Sequence, residues 1–87
     1  MKAYLFISAA GEPMQLAAAL RAVPGVISAD ATTGDIDVIA ACEASGLVEL
    51  NAIVGAIHRR DDVLESHVRV VIGPAPSSTE KAAAAAA

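Results

Sequence analysis

Between Val26 and Cys42 the chain reads VISADATTGDIDVIAAC, and the two halves of that stretch differ in kind. The first, Val26 to Thr33, has β-branched residues at both ends and polar Ser28, Asp30 and Thr32 at every second position, the pattern of a strand with one wet face. The second, Ile36 to Cys42 (IDVIAAC), is apolar on both faces apart from Asp37, which predicts a strand covered on both sides. Gly34 between them suits a hairpin, because glycine supplies φ > 0 and a neighbouring aspartate caps the turn. An edge strand is thus joined directly to a central one.

Outward from this hairpin the same two patterns recur. Lys2 to Ser8 (KAYLFIS) is apolar on both faces, with Ala3, Leu5 and Ile7 on one and Tyr4 and Phe6 on the other, so it too reads as central. Val63 to Ile72 (VLESHVRVVI) alternates, with Glu65, His67 and Arg69 on one face and Ser66, Val68, Val70 and Ile72 on the other, a second edge. Pro13 suits a first helical position, and Leu16, Ala19, Leu20 and Val23 form one helical stripe, predicting a helix over about 13–22 ended by Pro24-Gly25. Ser45 is the expected N-cap of a second helix, with Leu47, Leu50, Val54 and Ile57 as its stripe and an end near Arg59. ALRAVPGVIS (19–28) and AIHRRDDVLE (56–65) place a helix end, a turn and a Val-led strand at one offset, a weak internal repeat.

The order is βαββαβ, and the burial pattern discriminates among its topologies. In the α+β, ferredoxin-like arrangement the first and third strands are central and the second and fourth are edges, as the sequence requires. Both helices then cover one face of an antiparallel sheet, and a second protomer's sheet is the simplest cover for the other. Residues 1–72 are the expected domain. Residues 73–87 (GPAPSSTEKAAAAAA) change abruptly to Pro, Ser and Ala and read as a low-complexity, flexible tail.

Composition supports association. Of 87 residues 55% are hydrophobic, yet there is one Tyr, one Phe and no Trp. The mean hydropathy is +0.55. So short a chain has more apolar surface than it can bury alone, and a self-complementary interface is the natural outlet. Net charge is −4 and the six Lys and Arg are scattered, which argues against nucleic acid as a direct partner. The lone Cys42 fits a reducing compartment. MKAYLFISAAG imitates a secretory signal but is too short for one, and no run approaches the roughly 20 apolar residues of a membrane span. A cytoplasmic protein is expected.

Residues able to carry chemistry are few. Cys42 lies in an apolar strand, His58 at a helix end, His67 on the polar face of an edge strand, and no His-x-His or Cys-x-x-Cys spacing suggests a metal. Neither catalysis nor a cofactor is expected. TTGDID (32–37) stands out because it carries more acid than a turn needs. Its glycine lets a ligand approach the backbone, and Asp35 or Asp37 can accept from an ammonium. Asp37, at the start of an apolar strand, requires a hydrogen-bonding partner or water.

With those residues in view, residues 2–72 resemble the effector-binding (RAM) domain of the leucine-responsive and asparagine regulators, the Lrp/AsnC family. The most specific piece is PGV followed by TGDID, which matches the family's VTGxxD hairpin. The resemblance implies a ferredoxin-like dimer whose sheets pack face to face, rings of eight or ten subunits, and a small amino-acid effector held between subunits. Carried over by position, Thr33, Gly34, Asp35 and Asp37 fall on the hairpin that lines the effector cleft. Ser66 falls where the last strand commonly has Thr, whereas Val68 departs from a second Thr. The family's regulators begin with a helix-turn-helix and this sequence begins at the first strand, so a stand-alone sensing module is expected, with mixed assembly onto full-length regulators as one role. The competing readings are a structural oligomer without ligand, a dimeric α+β barrel enzyme, and an ACT-type regulatory domain of the same topology. Phe6→Asp or Ile39→Asp, each charging an intended buried face, is expected to give unfolded or aggregated protein.

Overall fold

A computed structural model describes residues 1–72; the segment read as a flexible tail, 73–87, lies outside the described residues. The elements are β1 (Lys2–Ala9), α1 (Pro13–Leu20), β2 (Val26–Ala31), β3 (Val38–Glu43), α2 (Leu47–His58) and β4 (Val63–Val70). The sheet order is β2-β3-β1-β4 and every pairing is antiparallel, so the two strands apolar on both faces are indeed central.

Side chains alternate across a strand, so register assigns each residue to a face. Ala3, Leu5 and Ile7 of β1 pair with Cys42, Ala40 and Val38 of β3, and all six are fully buried beneath the helices. Leu16 and Leu20 of α1, and Leu50, Ile53 and Ile57 of α2, complete that core. Each fully buried Leu or Ile contributes roughly 2 kcal/mol of apolar transfer. No polar or charged side chain is buried among the described residues. The core therefore has no polar partner to satisfy, and the charges lie on the surface.

Local chemistry sets the element ends, and here the structure departs from the expected boundaries. Helix α1 is capped by Glu12, whose carboxylate accepts from the Gln15 N–H at 2.8 Å, with Pro13 in the first turn. It stops at Leu20 rather than near Ala22, because the chain already turns through Val23 N–H donating to Leu20 O at 3.0 Å. Gly46, not Ser45, is the cap residue of α2. The Ser45 hydroxyl instead donates to Glu49 Oε2 at 2.6 Å, and that bond holds the Glu49 carboxyl below its usual range. The buried stripe of α2 is Leu50, Ile53 and Ile57, and Leu47 is 61% exposed.

The turn from α2 into β4 is closed by Arg60, which donates from Nε to Asp62 Oδ1 at 2.9 Å and from the guanidinium's second nitrogen to Oδ2 at 3.0 Å. That hydrogen bond lowers the Asp62 pKa. A carboxyl whose folded pKa is depressed adds stability above its unfolded pKa, near 4, and loses it as pH falls through the folded value. Urea midpoints are therefore expected to fall less between pH 6 and pH 3 in Asp62→Asn than in wild type. The difference will be small because the pair is partly solvated.

Candidate functional site

The stretch 32–37 is a closed loop rather than a tight two-residue turn. The β2–β3 ladder ends at the Ala31–Val38 pair, so neither Thr32 and Thr33 nor Ile36 and Asp37 belong to strands. The Thr32 N–H donates to Asp37 O at 2.8 Å, and the Thr32 hydroxyl donates to Ile36 O. Gly34 has φ +97°, the left-handed backbone that favours glycine, and open space where a Cβ would stand.

Asp37 finds its partner in the backbone. Its Oδ2 accepts from the Ala9 N–H at 2.8 Å, and its own N–H donates to Ile7 O at 3.0 Å. The β1–β3 ladder ends at the Ile7–Val38 pair, so the carboxylate satisfies an N–H of β1 that lies beyond the last strand partner on that side. Asp37→Ala leaves that half-buried N–H without its acceptor, an expected loss of about 1–2 kcal/mol. Hydrogen exchange at the Ala9 amide should accelerate in Asp37→Ala and recover partly in Asp37→Asn; unchanged exchange would count against the latch.

Facing away from the helices, Tyr4 and Phe6 of β1 lie beside Ala41 and Ile39 of β3. β2 places Ser28 and Asp30 on one side of this apolar centre, and β4 places Glu65, His67 and Arg69 on the other, with Phe6 opposite His67 and Tyr4 opposite Arg69. Where the 32–37 loop overhangs the β1–β4 side, a groove of about 470 Å³ opens. Phe6, Ser8 and Ile36 line it together with Asp35, Glu65, His67 and Arg69. His67 Nε2–H donates to Glu65 Oε1 at 2.8 Å, and Arg69 Nη1 donates to Val68 O at 3.2 Å, which leaves other guanidinium donors for a bound group. The volume is within the range of small-molecule sites.

Of the five residues singled out in the sequence, the structure brings only Asp35 to this groove. Thr33 and Gly34 form the loop that carries it, and Asp37 is spent on β1. Ser66 lies on the helix-covered face, opposite Ile7, with its hydroxyl 2.9 Å from His58 Nδ1. Sequence reasoning passed over Glu65, His67 and Arg69 as the polar face of an edge strand. Their period of two was legible, but their sharing of a face with Phe6 depends on register. Burial pushes the Cys42 thiol up, away from reactivity. Among the described residues no three metal-ligating side chains converge, and no helix is long and apolar enough to cross a membrane.

The fold defines the class, a ferredoxin-like βαββαβ domain. The sequence model of the Lrp/AsnC ligand-binding domain matches residues 2–80, and the chain belongs to that family. The match runs past residue 72, where the expected domain ended. No curated protein matches the chain. Among solved structures, TTHA0845 from Thermus thermophilus is similar at TM-score 0.79 and 22% identity, over 87% of this chain and 98% of that one. Escherichia coli AsnC is similar at TM-score 0.71 and 16% identity, over 88% of this chain. The transcriptional regulator NMB0573 of Neisseria meningitidis, solved as its L-Met complex, is similar at TM-score 0.72 and 19% identity, over 91% of this chain. The chain spans about half the length of these two regulators, 54% of each.

Proposed function

We propose that this domain is a cytoplasmic effector-binding module that takes a small amino acid or related metabolite in the groove beneath the 32–37 loop, at a cleft completed by a second copy. One observation carries the reading: the Asp35 carboxylate and the Arg69 guanidinium line the same groove, around apolar Phe6 and Ile36. A free amino acid presents an ammonium, a carboxylate and a side chain, the complementary set. Asp35 takes the ammonium and Arg69 the carboxylate, while Thr33 and Gly34 shape the rim. Asp37 acts as a positioning residue through β1, and Ser66 as one through His58. Family membership supports an effector role over catalysis, and the L-Met complex of NMB0573 supports an amino acid as the ligand class.

The groove lies beside Tyr4, Phe6, Ile39 and Ala41, an apolar face that a second copy would cover, giving a dimer and, by further association, a ring. Mixed assembly with full-length regulators follows if that face pairs with theirs. The C-terminal segment 73–87 is assigned no part in binding. Thermal shift and calorimetry against the twenty amino acids test the proposal. At least one is expected to raise the melting temperature of wild type, and Asp35→Ala should abolish the shift, since only a ligand of the native state stabilises it. If no amino acid shifts the protein, and its association state ignores them all, the structural-oligomer reading replaces this one.

A further inference from the structure

Resting on that assignment of the groove, we propose that it selects a cationic amino acid, one whose side chain ends in an ammonium or guanidinium. The groove is lined by two carboxylates, Asp35 and Glu65, one guanidinium, Arg69, and the His67 ring that bonds to Glu65. A neutral zwitterion uses one charge of each sign, pairing with Arg69 and Asp35, and leaves Glu65 with no partner beyond His67. A ligand carrying a second cation completes the set. Its carboxylate meets Arg69, its α-ammonium meets Asp35, and its side-chain cation meets Glu65.

Three further features favour that ligand. Glu65 Oε1 accepts from His67, so the carboxylate is held while Oε2 makes no hydrogen bond among the described residues. Phe6 offers a ring on which the stem or head of a cationic side chain gains by cation–π attraction. The chain as a whole carries −4, which raises the local concentration of cations and disfavours acidic amino acids. An anionic side chain would face Glu65 or Asp35 with like charge.

The experiment is calorimetry on the full chain at about pH 8, where an ordinary imidazole is neutral. The ligands are L-arginine, L-lysine, L-ornithine, L-leucine and L-glutamate, with putrescine as ornithine's side chain and amine without the carboxylate. At least one basic amino acid is expected to bind about tenfold or more tighter than leucine or glutamate, and to lose about tenfold of that preference in Glu65→Gln, which keeps an acceptor for His67. Putrescine should bind more weakly than ornithine because it leaves Arg69 without a carboxylate. Leucine binding as tightly as the basic amino acids, with Asp35→Ala still abolishing it, would overturn cationic selection while the effector reading stands. Putrescine matching ornithine would overturn the amino-acid class. Absence of binding by every amino acid would overturn both readings together.

Discussion

Gly25→Ala is expected to destabilise the domain by about 3 kcal/mol, a large share of what so short a chain can hold. Gly25 has φ +92°, where an L side chain costs about 1 kcal/mol or more. A Cβ there would also stand 2.3 Å from Ile53 Cδ1 and 2.9 Å from Cγ1, inside contact distance of a buried side chain. Ile53 must leave its rotamer, which adds about 1–3 kcal/mol. Gly25 cannot retreat easily, because its carbonyl accepts from the Glu43 N–H at 2.9 Å and ties the turn to the end of β3. Gly34→Ala is the internal control: its φ is similar, +97°, but nothing lies within 4 Å of the added carbon. Urea denaturation of the two variants should therefore differ by about the clash alone. Equal losses would show that Ile53 yields freely and that backbone conformation accounts for the whole effect.

Ile39→Asp is expected to abolish association between copies and leave the chain folded, shown by light scattering together with far-ultraviolet circular dichroism. Sequence alone predicts that the substitution unfolds or aggregates the protein, as it does for Phe6→Asp. The structure changes that expectation because Ile39 and Phe6 are half-buried side chains on the face away from the helices, and the fully buried set of Leu5, Ile7 and Val38 lies on the other side. Ile39 stands between Phe6 and Asp30 in the register, at the centre of the face. A second carboxylate there, beside Asp30, desolvates poorly against any covering sheet. An apparent dissociation constant raised by about a hundredfold or more is expected, since a buried unpaired charge costs several kcal/mol. An unchanged association state would remove this face from the interface.

The sheet topology was legible because burial leaves its mark on both faces of a strand. KAYLFIS and IDVIAAC had no polar face to give to solvent, and VISADATT and VLESHVRVVI each had one. Boundaries were less legible wherever a short polar side chain had two uses. Ser45 looks like an N-cap, yet its hydroxyl goes to Glu49, and Thr32 looks like strand, yet it closes the loop on Ile36 and Asp37. Leu47 falls outside the buried stripe of α2 because leucine hydrophobicity alone does not say where a helix first meets the sheet. Asp37 was correctly expected to need a partner, but that partner is a backbone amide 28 residues away, which only the folded register brings near. Half of the groove was out of reach for the same reason: Asp35 is in the hairpin, whereas Glu65, His67 and Arg69 join it through antiparallel pairing across Phe6.

The apolar sheet face has a practical consequence. Tyr4, the chain's single tyrosine in a sequence without tryptophan, stands on that face with Lys2 Nζ 5.2 Å from its ring centre. The protein's intrinsic fluorescence therefore originates at one surface, and anything that settles over that surface will change the emission without a label, a mutation or a dye.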